Sequence, residues 1–135
     1  MGKPAESVEN YLETILILGQ NGDVVRSIDI AKQLGYSKPS ISVAMKNLKA
    51  NGYIEMGAGG QIVLTETGRN IAQRIYDCHT LISDLLIFLG VESETAVKDA
   101  CKMEHGMSEE SFMALQNHLE DLRQKVCKKQ SKIIK

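Results

Sequence analysis

Residues 27–52, SIDIAKQLGYSKPSISVAMKNLKANG, punctuate themselves into two helices. Ser27 is a candidate N-cap, Gly35 a stop, and Ile28, Ala31 and Leu34 fall on one face between them. Ser37 then opens a second helix, with Pro39 in the first turn, where a missing N–H costs nothing. Ile41, Ala44, Met45 and Leu48 repeat at three and four until Asn51-Gly52 end the run. The spacing predicts two short helices joined by a tight turn.

Before this stretch, Val8, Tyr11, Leu12, Ile15 and Leu16 make one apolar stripe, with Ser7 as N-cap and Gly19 as stop. After it the period changes. Tyr53-Ile-Glu-Met and Gln61-Ile-Val-Leu are short β-prone runs around Gly57-Ala-Gly-Gly, which reads as a hairpin. A glycine loop that cradles phosphate needs a helix directly behind it, and here a strand follows. One helix, a helix-turn-helix and a two-stranded ribbon are the order of a winged helix-turn-helix.

Thr65 or Thr67 caps the next helix, whose stripe is Ile71, Ile75, His79, Ile82, Leu85, Leu86 and Leu89, closed by Gly90. Ser93 caps another that ends at Gly106. A last helix starts at Ser108 and repeats apolar residues at Phe112, Leu115, Leu119, Leu122 and Val126, a spacing that suits a partner helix and predicts a homodimer. The basic end from Lys128 reads as a solvated terminus. The expected fold is mostly α with a small β-hairpin: an N-terminal winged helix-turn-helix DNA-binding domain over residues 1–72, then an all-helical region over residues 73–135.

A chain of 135 residues with 43% hydrophobic and 24% charged positions is an ordinary folded protein. No stretch reads as a membrane span or signal peptide, so the cytoplasm is expected, with no membrane partner. The net charge of -1 does not announce a nucleic-acid binder, but five cations (Arg26, Lys32, Lys38, Lys46, Lys49) face one anion, Asp29, between Arg26 and Ala50. Attraction to phosphate needs such a local excess. The DNA-contact set is Arg26, Ser27, Ser37, Lys38, Pro39, Ser40, Ser42 and Lys46. Its small polar groups reach base edges and its proline face suits a thymine methyl. With no bidentate reader among them, much of the specificity is expected from DNA shape and half-site spacing. The alternative is a protein-binding winged helix in which these residues only cap a helix.

Cys101, Glu104 and His105 stand at i, i+3 and i+4, so three ligand types converge on one helix face, the face that Val97 and Ala100 mark as buried. His79 interrupts an apolar stripe on the preceding helix. A lone histidine there reads as a core residue, but two helices that each carry one point to a metal. Glu13 lies beside the stripe of the first helix, three residues after Asn10; alone it reads as a surface charge. Cys78 points about 100° away from His79, and Cys78 and Cys127 read as structural or incidental.

From Ser7-Val-Glu-Asn-Tyr-Leu-Glu through Ser37-Lys-Pro-Ser and Leu64-Thr-Glu-Thr-Gly to Cys101-Lys-Met-Glu-His-Gly-Met-Ser, the chain resembles the diphtheria toxin repressor and manganese transport regulator family of metal-dependent repressors. The Glu-His pair preceded by Cys is the most specific of these matches. The resemblance implies a metal held by Asn10, Glu13, His79, Cys101, Glu104 and His105, between the first helix and the helices of a metal-binding and dimerisation domain. Position 10 is Met in the iron branch and Asp in the manganese branch, so Asn10 offers only a carbonyl oxygen. Glu13 is like the manganese branch and Cys101 like the iron branch. The accessory site of the iron branch loses its donors, because Ser83 and Val97 stand where it has a carboxylate and a histidine. The resemblance leaves no C-terminal SH3-like domain to be expected, as in the manganese branch.

The resemblance thus implies a repressor that binds a palindromic double-stranded DNA operator as a homodimer when loaded with Fe²⁺ or Mn²⁺, with Zn²⁺ and Co²⁺ as possible ions in vitro. Oxygen donors suit Mn²⁺ and a thiolate favours Fe²⁺, Co²⁺ or Zn²⁺, which leans the set toward iron. Metal bound at these helices would fix two recognition helices about 34 Å apart, one DNA turn. Two other readings stand beside it: a winged-helix regulator that answers to a small organic ligand or to none, and a zinc hydrolase, for which no catalytic base or cleft is evident. The chain is therefore not expected to be an enzyme.

Overall fold

The structure is a computed structural model that describes residues 6–118 and positions 121, 124 and 125. It divides into two compact units, Met1–Arg74 and Ile75–Lys135. The expected helical positions Leu119, Leu122 and Val126, Cys127 and the basic end lie outside the described residues.

In the first unit, α1 (Glu6–Leu18), α2 (Ser27–Leu34) and α3 (Lys38–Ala50) precede an antiparallel hairpin of β1 (Ile54–Met56) and β2 (Ile62–Leu64). Ile54 is opposite Leu64 and Met56 opposite Ile62. Helix α2 stops because Gly35 turns left-handed at φ 72°, its N–H donating to Ala31 O at 2.8 Å. Two residues later Ser37 caps α3, its Oγ accepting from Ser40 N–H at 3.4 Å. Leu12, Ile30, Ile41, Met45, Leu48 and Ile54 are fully enclosed and hold α1, α2, α3 and β1 around one core. Burial of each contributes roughly 1.5–3 kcal/mol, enough together to fix α3 on its scaffold. Val25 also pairs with Ile62 in an isolated bridge that adds a third short edge to the hairpin.

Several local expectations are corrected. Ser7 lies inside α1 rather than capping it. The cap of α2 is Arg26, whose N–H donates to Asp29 Oδ2 at 2.9 Å, so an acid in the first turn does the work assigned to Ser27. Glu92, not Ser93, precedes the fifth helix as its cap. On α2 the buried pair is Ile30 and Ala31, and Ile28 is exposed, because the helix turns its 30/31 side to the core.

The second unit begins inside α4 (Glu66–Phe88), whose cap is Thr65, the Oγ1 accepting from Gly68 N–H at 3.1 Å. It continues through α5 (Ser93–Gly106) and α6 (Glu109–Asn117), the latter capped by Ser108. Cys78, Ile82, Ala100 and Phe112 form its small core, with Leu86 and Met107 packed on it. Phe112, expected on a face offered to a partner, belongs to this internal core.

Candidate metal centre and DNA-contact surface

Helix α5 buries Ala96, Ala100 and Glu104, an inner line in steps of four. Two alanines and a carboxylate thus share one face. Val97, expected on that face, is 46% exposed, because it stands one residue off the line. Cys101 and His105, also one residue off it, flank Glu104 at intermediate exposure. Cys101 Sγ, a Glu104 oxygen and a His105 nitrogen lie within 4.8 Å of one another.

The Glu104 side chain is fully enclosed and sits between two imidazoles. His105 Nε2 is 3.4 Å from its Oε1, and His79 Nδ1, brought in by α4, is 3.5 Å from its Oε2. Metal bonds of roughly 2.0–2.3 Å place neighbouring donors of a tetrahedral ion roughly 3.3–3.8 Å apart, so this spacing suits ligands of one ion. A nitrogen, oxygen and sulfur donor set also suits a transition ion rather than Ca²⁺ or Mg²⁺. Enclosing a carboxylate costs several kcal/mol unless positive charge accompanies it. The residues present fit a divalent transition metal.

Among the sequence-predicted ligands, Glu104 thus gathers Cys101 and His105 on its own helix and meets His79 from α4 through its other oxygen. Asn10 and Glu13 lie on α1 in the first, Asn10 half-buried and Glu13 buried. Glu13 is not the surface charge that its position alone suggests. The buried side of α1 holds Glu9, Leu12, Glu13 and Leu16, with Glu9 only 2% exposed. That helix face is turned toward its carboxylates, and Val8 and Tyr11 are left half-buried. Glu9 was missed, although its i, i+3, i+4, i+7 relation to the other three is readable from spacing. Cys78 is a buried thiol 3.9 Å from Met107 Sδ and belongs to the core. Ser83 is buried and Val97 faces outward, so neither supplies an accessory site with a strong donor.

On α3, Ser37, Lys38, Pro39, Ser40, Ser42 and Lys46 are all exposed, as is Arg26 ahead of α2; Ser27 is half-buried. Two apolar side chains missed in the sequence join this surface: Tyr36 is 53% exposed just before the Ser37 cap, and Val43 is 60% exposed beside Ser42. Val43 could have been found, because it falls off the inner line of Ile41, Met45 and Leu48.

The description of the iron-dependent repressor N-terminal DNA-binding domain matches residues 4–58, and that of the iron-dependent repressor metal-binding and dimerisation domain matches residues 65–135. The chain belongs to the iron-dependent repressor family. Its place in this family puts it among transcriptional repressors and outside the enzymes, which removes the zinc-hydrolase alternative. It is 34% identical over 124 residues to a helix-turn-helix-type transcriptional regulator of Methanocaldococcus jannaschii, covering 90% of this chain and 99% of that one. It is 36% identical over 109 residues to the transcriptional regulator MntR of Escherichia coli, covering 81% and 70%. The solved structure of ScaR with bound Zn²⁺ has a TM-score of 0.72 at 26% identity, covering 87% of this chain and 54% of that one. The chain spans about half the length of that structure. No helix among the described residues is long and apolar enough to cross a membrane.

Proposed function

We propose that this member of the iron-dependent repressor family represses transcription by binding a palindromic operator as a homodimer when loaded with Fe²⁺ or Mn²⁺, controlling metal-homeostasis genes in the cytoplasm. The observation that carries the reading is Glu104, enclosed between His79 and His105 with Cys101 beside it.

In this reading His79, Cys101, Glu104 and His105 hold the ion, and the resemblance adds Glu13 and the Asn10 carbonyl oxygen. When bound, the ion supplies the positive charge that enclosed carboxylates need. Glu104 positions both imidazoles, and Cys101 adds the soft donor that favours Fe²⁺ over Mn²⁺. Lys38 and Lys46 meet phosphate, while Ser37, Pro39, Ser40, Ser42 and Val43 meet base edges. Relatives support this range of ions: ScaR is a manganese-activated repressor whose structure has been solved with Zn²⁺.

The test is an electrophoretic shift on a palindrome upstream of the chain's own gene, run with Fe²⁺, Mn²⁺, Zn²⁺ and a chelator. A shift that appears with Fe²⁺ or Mn²⁺ and vanishes with chelator is expected. Equal binding in all lanes would sink the metal-dependent reading and favour a regulator that needs no metal.

A further inference from the structure

The hairpin and its loop, residues 53–64, contain no lysine or arginine, and their single charged side chain is the exposed Glu55. Ala58 supplies one methyl group to the tip, and Gly57, Gly59 and Gly60 supply none. Gly59 and Gly60 both have φ of 78°, a left-handed conformation that keeps side chains out. Such a wing has no cationic side chain of its own with which to hold a phosphate.

A cation reaches the tip from the start of α2. Ile62 N–H donates to Val25 O at 2.7 Å, and the next residue, Arg26, donates its Nε–H to Gly59 O at 3.1 Å. Two successive residues thus fasten the loop end of the hairpin, at the first residue of β2 and at the tip. The Arg26 backbone is itself held by Asp29 Oδ2. Its guanidinium is exposed, and it makes no ion pair among the described residues. A guanidinium is a planar fork, so one edge can hold a carbonyl while the terminal N–H groups grip a phosphate, which a single ammonium cannot do.

Resting on the reading that this unit binds DNA, we propose that Arg26 is the cation of the wing, its Nε–H securing the glycine tip and its terminal N–H groups taking a backbone phosphate. This is a role distinct from that of Lys38 and Lys46, which serve the recognition helix. Arg26 positions the tip main chain against DNA.

The full chain is compared with Arg26→Ala and Arg26→Lys in two measurements. In free protein, amide exchange is followed at Gly57 and Gly60, whose N–H groups close the loop on Gln61 O and Gly57 O. Arg26→Ala should raise exchange there by roughly threefold or more while the core amides of α3 keep their rates. With Mn²⁺ and a duplex carrying the palindrome, Arg26→Ala should flatten the dependence of log K on log salt by about one unit. Arg26→Lys should perform one task and fail at the other. Unchanged exchange in Arg26→Ala overturns the strut, and an unchanged salt slope overturns the phosphate grip. A lysine variant equal to wild type in both overturns the fork. If wild type binds no DNA under any condition, the DNA reading and the phosphate grip fall together, while exchange still decides the strut.

Discussion

His79 Nδ1 lies 3.5 Å from Glu104 Oε2, so α4 and α5 meet through a carboxylate with no exposed side-chain surface. Such a contact is a poor source of stability by itself, because desolvating the charge costs as much as the pairing returns. It is a good place for an ion.

Glu104→Gln keeps the shape and removes the charge. Metal affinity should fall by on the order of 100-fold or more, a loss at or beyond the upper end for supporting residues of metal sites. In chelator the variant should melt at or above the wild-type temperature, since an enclosed charge has gone. Wild type should gain about 2.7 kcal/mol at a metal concentration 100 times its Kd, and the variant should gain far less at that concentration. Melting curves with and without Mn²⁺ read both effects. A variant stabilised by metal as strongly as wild type would remove Glu104 from the site.

Under the proposed function, Cys101 is expected to decide ion preference. Cys101→Glu replaces the thiolate with a hard oxygen donor and should shift preference from Fe²⁺ and Zn²⁺ toward Mn²⁺, with metal-saturated DNA binding retained. Cys101→Ala should weaken every ion. Titrations under reducing conditions compare the three proteins; identical affinities and preferences would make Cys101 a small packing residue.

The elements of the first unit were legible because Gly35, Ser37, Pro39 and Gly52 each impose a backbone conformation that no distant contact overrides. Burial was less legible. Ile28 and Ile30 are chemically alike, and only the direction from which α1 and α3 pack decides that Ile30 is inside. Glu9 and Glu13 look like solvent residues, since a carboxylate enters a core only where other groups compensate it, and such groups lie far away in sequence. The convergence of Cys101, Glu104 and His105 on α5 was legible from i, i+3, i+4 spacing alone, whereas the Arg26 hydrogen bond to Gly59 spans 33 residues and leaves no local trace.

On α3, Lys38→Ala and Lys46→Ala should weaken binding to every DNA sequence and flatten the salt dependence by about one unit each. Ser37→Ala, Pro39→Ala and Val43→Ala should instead relax discrimination at particular base pairs, by roughly 1–3 kcal/mol for a good contact. Binding to a set of single-base operator variants separates the two groups. If all five substitutions behave alike, α3 does not read the groove.

Sedimentation of the full chain should give about twice its 14.9 kDa at micromolar concentration. Met103 and Met113 are both more than 40% exposed in the dimerisation domain, apolar surface of the kind that marks contact between proteins. A monomer would leave only one recognition helix per particle and remove the half-site argument.

Two helical glycines give opposite expectations. A Cβ on Gly68 would stand 2.0 Å from Tyr53 O and 2.9 Å from Tyr53 C, both main-chain atoms. The approach is this close because Thr65 ties the same corner, its N–H donating to Tyr53 O at 3.0 Å and its Oγ1 to Gly52 O at 2.7 Å. The first turn of α4 is thus pressed onto the start of the hairpin, which explains the Leu64-Thr-Glu-Thr-Gly68 pattern physically. Gly106, the last residue of α5, has nothing within 4 Å of its Cβ position and no left-handed backbone. Gly68→Ala should cost at least about 3 kcal/mol, since main chain cannot move aside as a side chain can. Gly106→Ala should instead stabilise by about 0.4–1 kcal/mol, by narrowing the unfolded ensemble. Urea unfolding in chelator measures both without interference from metal. A Gly68→Ala midpoint equal to wild type would show that the corner can open, and with it that the hairpin is not fixed by α4.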